Sequence, residues 1–174
     1  MLLVGGIGAG KTTTGLSLLN AGWQLLSNDS PVVVGNGRIQ QYPGVLAAYP
    51  ESFAHFPALA HLAQKHDGKN GRQKISVTAE SIWPDVWLPE APVRAICFPQ
   101  IEQRTDHALT PLAKPAALAR LLPHAVEQWD KAMIPAHLQI LRQLVETAPA
   151  YSLQLSPDVL SIPQVIAPAL EQEP

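Results

Sequence analysis

Near the start of the chain, Gly5-Gly6-Ile7-Gly8-Ala9-Gly10-Lys11-Thr12 fits G-x-x-x-x-G-K-[ST], the phosphate-binding P-loop pattern. Glycines let successive backbone N–H groups turn inward without Cβ clashes and form a nest for phosphate oxygens. A helix opening at Lys11 would add the partial positive charge of its N-terminus, and Lys11 a full charge for the β- and γ-phosphates. Thr12 places a hydroxyl where a phosphate-bound Mg²⁺ would sit. The candidate nucleotide contacts are therefore Gly5, Gly6, Ile7, Gly8, Ala9, Gly10, Lys11, Thr12 and Thr13. The metal also needs a carboxylate, and the sole acidic residue before Glu51 is Asp29. Asp29 stands eighteen positions after Lys11, where a Walker-B-type aspartate would close a second strand. Mg²⁺ is assigned to Thr12 and Asp29.

Other chemistry-bearing residues give weaker signals. Asn28 and Ser30 flank Asp29 as ordinary turn residues. The histidines, at 55, 61, 66, 107, 124 and 137, never fall at i, i+4 spacing, and one cysteine cannot complete a zinc set. Lys65, Lys69, Arg72 and Lys74 surround a polar loop that reads as a solvated face. Arg94 and Arg104 could each stabilise a transferred phosphate, but no spacing rule selects either. Trp23, Trp83, Trp87 and Trp129 read as core or interface aromatics. Cys97 lies in the apolar run Ala95-Ile96-Cys97-Phe98 and reads as a small buried hydrophobe.

The elements that must position this loop follow from periodicity. Leu2 to Val4 reads as a short buried strand. A helix is expected from Lys11 to Ala21, with Leu16 and Leu19 on one face and Gly22 ending it. Trp23 to Leu26 reads as a second strand. Val32 to Val34 and Arg38 to Gln41 flank the hairpin signal Gly35-Asn36-Gly37. Further on, a short helix over 57–66, strands at 75–79, 94–98 and 151–155, and a helix opening near Pro115 are expected. The clearest amphipathic helix covers Met133 to Ala148, with Ile134, Leu138, Leu141, Val145 and Ala148 on its apolar face. A tail helix from Ile162 should break near Pro168. Interleaved strands and helices predict an α/β layer structure with a mixed sheet.

Composition bounds the function classes. In 174 residues, 12 Lys+Arg against 14 Asp+Glu leave a net charge of −2 and no basic cluster, which excludes a nucleic-acid surface. No run approaches about 18 apolar residues, so no membrane helix is predicted, and the start lacks the basic segment of a secretion signal. A cytoplasmic protein is expected. Charged residues make up 15% of the chain, against roughly 25% in an average domain. Apolar surface left for something else to cover would suit a homo-oligomer.

The run GGIGAGKTTTGLSLLNAGWQLLSNDSPVVV resembles the nucleotide-binding core of HPr serine kinase-related proteins, within the phosphoenolpyruvate carboxykinase-like group of P-loop kinases. The shared features are the P-loop, a short helix ending in the pair Gly22-Trp23, and an acidic turn before a hairpin. More loosely, Arg94 to Leu122 and Tyr151 to Leu155 with Asp158 resemble the C-terminal part of such domains. The resemblance implies a P-loop core with a mixed sheet. It also implies an ATP-dependent (or other nucleoside triphosphate-dependent), Mg²⁺-dependent kinase acting on an unidentified hydroxyl, in a protein serine or a small molecule. Lys11 and Asp29 would carry catalysis. Family kinases have adjacent aspartates at the acidic turn, one accepting a proton and one binding metal. Here the pair is Asn28-Asp29, so the metal role falls to Asp29 and the base role to nothing at the turn. Glu51, Glu80 or Asp85 would have to replace it.

The family also carries a substantial segment before the P-loop. The expectation is one kinase-like domain over residues 1–174 without that segment, with upstream residues or another chain covering apolar surface beside Leu2 and Val4. The alternative to a kinase is a regulatory nucleotide-binding module that does not catalyse transfer, or a weakly hydrolysing ATPase.

Overall fold

The computed structural model describes residues 1–64, 73–125 and 130–171. Its elements run β1 (Leu2–Leu3), α1 (Lys11–Asn20), β2 (Val32–Val34), β3 (Arg38–Gln40), β4 (Val45–Ala48), α2 (Pro50–Ala54), α3 (Ala60–Gln64) and β5 (Ile75–Thr78). After these come β6 (Glu90–Pro92), β7 (Ile96–Ile101), β8 (Ala108–Leu112), α4 (Lys114–Ala125), α5 (Ile134–Thr147), β9 (Ala150–Leu155) and α6 (Ile162–Glu171). The main sheet has the order β1-β7-β9-β8. Its first three strands are parallel and β8 is antiparallel, so the chain is α/β with a mixed sheet. Two antiparallel ribbons, β2-β3-β6 and β4-β5, stand apart from it. Among the described residues, no helix is long and apolar enough to cross a membrane.

Pro99 lies in the interior strand β7, where a missing N–H is normally excluded. Leu2 and Val4 donate to the carbonyls of Ala95 and Cys97, whereas Ile96 donates toward β9. Odd positions of β7 therefore face β1, and Pro99 faces that side after β1 has ended. The absent donor falls where the strand has already given way to the glycine loop. Pro111 is tolerated on the edge strand β8 for the same reason.

Helix α1 is surrounded rather than one-sided. Leu16 packs with Phe53 and Phe56, Leu18 with Leu153 and Leu155, and Leu19 with Leu46 and Val86. Ser17, also buried, donates to the Val159 carbonyl at 2.6 Å. A helix apolar on several faces must be enclosed, and this one is held by the sheet, by α2 and α6 and by the β4-β5 ribbon. Leu16 and Leu19 share one buried face, as expected, and Leu18 adds a second.

Other boundaries shift for local reasons. Trp23 to Leu26 forms no strand; only isolated bridges join Leu25 to Trp87 and Ser27 to Tyr42. The 57–66 helix divides into a 3-10 turn at Pro57–Leu59 followed by α3, and residues 65 and 66 lie outside the described residues. Ala79 opens a 3-10 turn instead of ending a strand. β7 begins at Ile96, two residues later than expected, and continues to Ile101. In α5, Leu138 is exposed and Leu144 takes a core position beside Leu141 and Val145. Pro168 does not break α6, which runs through it to Glu171. Val4 is buried by its own chain, and the half-buried Leu2 packs on the same core.

Cys97 sits at the centre of the sheet, packed with Ala95, Tyr151 and Ala169. Burial pushes its thiol from the ordinary 9.0 up to about 12. Between those values the unfolded chain holds fewer protons than the folded one, so stability falls as pH rises across that window. Labelling with a thiol reagent at pH 8 should be blocked in the native protein and complete in denaturant. Fast native labelling would contradict the packing.

Candidate functional site

The turn between β1 and α1 sits over the C-terminal ends of the parallel strands. A Cβ on Gly10 would come within 2.5 Å of a Leu155 methyl and 3.4 Å of Ile101, and one on Gly5 within 3.0 Å of the Ala9 Cβ. Gly8 and Gly10 hold φ of 81° and 97°, a left-handed backbone that side chains rarely adopt. Ala9 N–H donates to the Gly6 carbonyl at 3.3 Å, and the first bond of α1 is Thr14 N–H to the Gly10 carbonyl. The amides of Lys11, Thr12 and Thr13 precede that bond and have no helical acceptor. No acidic side chain caps this first turn. Ile7, at the tip of the turn, is fully exposed.

Gly10→Ala is expected to destabilise the fold by about 2–4 kcal/mol, combining left-handed strain with overpacking against Leu155. Gly8 has open space around it, so Gly8→Ala should cost about 1 kcal/mol from strain alone. Urea denaturation separates the two, and equal losses would contradict the close seating of Gly10.

Lys11 curls back over the turn. Its ammonium donates to the Gly5 carbonyl at 2.7 Å and the Gly6 carbonyl at 2.9 Å. An ammonium has three donors, so an incoming anion finds this cation already placed at the mouth of the turn. Thr13 Oγ1 lies 3.5 Å from Ser52 Oγ, tying the helix start to α2.

A cavity of about 530 Å³ opens from this helix start between α1, β1 and the 23–29 segment. Lys11, Thr12, Asn28 and Asp29 all line it, whereas Gly5 to Gly10 do not. Among the described residues, Asp29 is the sole carboxylate in its lining; Glu51, Glu80 and Asp85 are outside it. Glu80 instead accepts from Trp87 Nε1 at 2.9 Å. Asn28 is committed to structure: its Nδ2 donates to the Val45 carbonyl at 3.1 Å and straps the acidic turn to β4. Asp29 follows an irregular segment and not the expected strand end, yet the strap and the two isolated bridges bring it to the helix start.

The two candidate arginines separate by position. Arg94 precedes β7, at the end of the sheet opposite the glycine turn. Arg104 lies three residues beyond Ile101, at the same end as the turn, and donates to Gln154 Oε1 at 2.7 Å and to the Asp106 carbonyl at 2.6 Å. His107 was not singled out by spacing. Its Nδ1 accepts from the Ser156 amide at 2.9 Å, which makes Nε2 the donor to the Asp158 carbonyl at 2.6 Å. Trp23, Trp83 and Trp87 pack against the core clusters, and Lys74 lies over the Tyr49 ring. Lys65, Lys69, Arg72, His66 and Trp129 lie outside the described residues.

Among the described residues, no group of three His, Cys, Asp or Glu could cage a metal ion. The one carboxylate and one hydroxyl that Asp29 and Thr12 bring to the same cavity match the sparse protein ligand set of Mg²⁺, which keeps several waters and takes few carboxylates. Comparison with protein-family models, curated proteins and solved structures finds no match to this chain.

Proposed function

We propose that Gly5 to Thr13 form the P-loop of an ATP-binding, Mg²⁺-dependent phosphotransferase, with a core like that of the phosphoenolpyruvate carboxykinase-like kinases. The observation that carries this proposal is the convergence of Lys11, Thr12 and Asp29 on one cavity beside the glycine turn. The turn amides and those of Lys11 to Thr13 bind the β- and γ-phosphates, and the Lys11 ammonium neutralises them. Thr12 and Asp29 would hold Mg²⁺, which would supply further positive charge beside the phosphates. The acceptor hydroxyl oxygen forms the new bond to the γ-phosphorus as the bond to the β–γ bridging oxygen breaks. The nucleoside diphosphate leaves with that electron pair, and the hydroxyl proton passes to water.

Asn28 cannot accept that proton, so positioning and charge carry the rate, and transfer is slow. The same observation favours, as a second reading, a regulatory nucleotide-binding module with little turnover. Incubation with γ-³²P-labelled ATP and a panel of alcohols and serine peptides tests the proposal. Labelled organic phosphate is expected. Binding without any labelled product would favour the regulatory module, and phosphate release without an acceptor would favour a hydrolase.

A further inference from the structure

The geometry points to a small alcohol with an apolar body, and not a protein serine, as the phosphoryl acceptor; this rests on the phosphotransferase proposal above. The cavity is graded along one stripe of α1: Lys11 and Thr12 at the helix start, then Gly15, then Leu19, with Gly22 beyond. Its polar groups gather where Lys11 and Thr12 meet Asn28 and Asp29. Away from them the walls are largely apolar, including Leu3, Leu26, Ile39 and Leu88, with Gln24 a polar exception whose Nε2 donates to the Asp85 carbonyl at 2.9 Å. A volume of about 530 Å³ falls in the range of small-molecule pockets, roughly 300–1,000 Å³.

Gly15 is the informative residue. Glycine in a helix interior costs roughly 0.5–1 kcal/mol relative to alanine. Gly15 has no positive φ, and a Cβ built there would meet nothing within 4 Å. Neither backbone geometry nor packing requires the missing side chain. Its absence keeps open the floor of the cavity one turn beyond Lys11.

The cavity extends from the γ-phosphate end of the site, where Lys11, Thr12 and Asp29 lie, and the glycine turn does not line it. In-line transfer places the acceptor at that end, while the nucleoside lies beyond the opposite end of the triphosphate. The apolar space therefore suits the acceptor's body better than the nucleotide base.

The test uses primary alcohols graded from ethanol to 4-phenylbutan-1-ol, with binding followed by ¹H–¹⁵N NMR of the Gly15 amide and the Trp23 indole. Affinity should rise about fourfold per added methylene until the cavity is filled. Gly15→Leu should weaken 4-phenylbutan-1-ol at least tenfold while leaving ATP and inorganic tripolyphosphate within twofold. Ala91→Leu, from the opposite wall, provides the same test should Gly15→Leu fail to fold. Affinity independent of chain length, or unchanged in both variants, would overturn the inference. So would a tenfold loss of ATP binding in Gly15→Leu with tripolyphosphate unaffected, which would place the base in the cavity. Equal labelling of a serine peptide by wild type and Gly15→Leu would also overturn it. Failure of the phosphotransferase proposal would show separately, as ATP affinity unchanged in Lys11→Ala, because the alcohol series reads the cavity alone.

Discussion

Lys11→Ala is expected to weaken ATP binding by about 10²-fold or more. Hydrogen bonds to charged groups contribute roughly 1.5–3 kcal/mol each, and the ammonium would serve two phosphates. Part of that is offset, because Lys11 in the free protein must release the Gly5 and Gly6 carbonyls before it reaches a ligand. The net loss therefore falls toward the lower end of the summed range. Folding should suffer little, since the side chain is half-exposed and water can replace it at both carbonyls. Calorimetric titration reads the affinity and thermal melting checks the fold. Affinity within threefold of wild type would mean that Lys11 does not contact the phosphates.

Asn28→Asp carries the second large effect, and its two consequences have opposite signs. A general base typically contributes about 10²–10⁴-fold, and residue 28 lines the same cavity as Lys11, Thr12 and Asp29. A carboxylate there should raise the single-turnover transfer rate to an accepted alcohol. It cannot donate to the Val45 carbonyl, however, so the strap that holds the acidic turn is lost. That loss costs about 1 kcal/mol, or about 2–4 °C in Tm for a chain of this size. A looser turn positions Asp29 less well, so the expected gain lies near 10²-fold, with a lower melting temperature. If the natural protein already turns over at about 1–100 s⁻¹, and Asn28→Asp slows it, the proton is taken elsewhere.

The glycine turn was legible in the sequence because its residue types answer to local physics. Positive φ at Gly8 and Gly10 and the close seating of Gly10 on Leu155 each exclude other side chains. The helix behind it was legible from Lys11 onward for the same local reason. Helix α5 was found, but its core face is rotated: Leu138 and Leu144 lie on opposite margins of the stripe through Leu141 and Val145, and tertiary contact buries the Leu144 margin. The second strand was overcalled: Trp23 to Leu26 has strand composition, yet the segment makes one isolated bridge, at Leu25, and instead walls a cavity. The short strands β4, β6 and β8 and helix α2 were missed because each is fixed by long-range pairing or by a proline at its start. The cavity could not be read at all. Its polar end was visible as Lys11, Thr12 and Asp29, but its walls are assembled from residues as distant as Leu3 and Leu88.

The most direct measurement is a calorimetric titration of ATP into the full chain with Mg²⁺ and again in a chelator, for wild type and Asp29→Asn. Wild type should bind one ATP saturably, more tightly with Mg²⁺. Asp29→Asn should match it in chelator and lose the gain that Mg²⁺ confers. The contradicting result is an absence of saturable binding of ATP, or of GTP, up to millimolar concentration; Gly5 to Thr13 would then be a glycine-rich turn that holds no nucleotide.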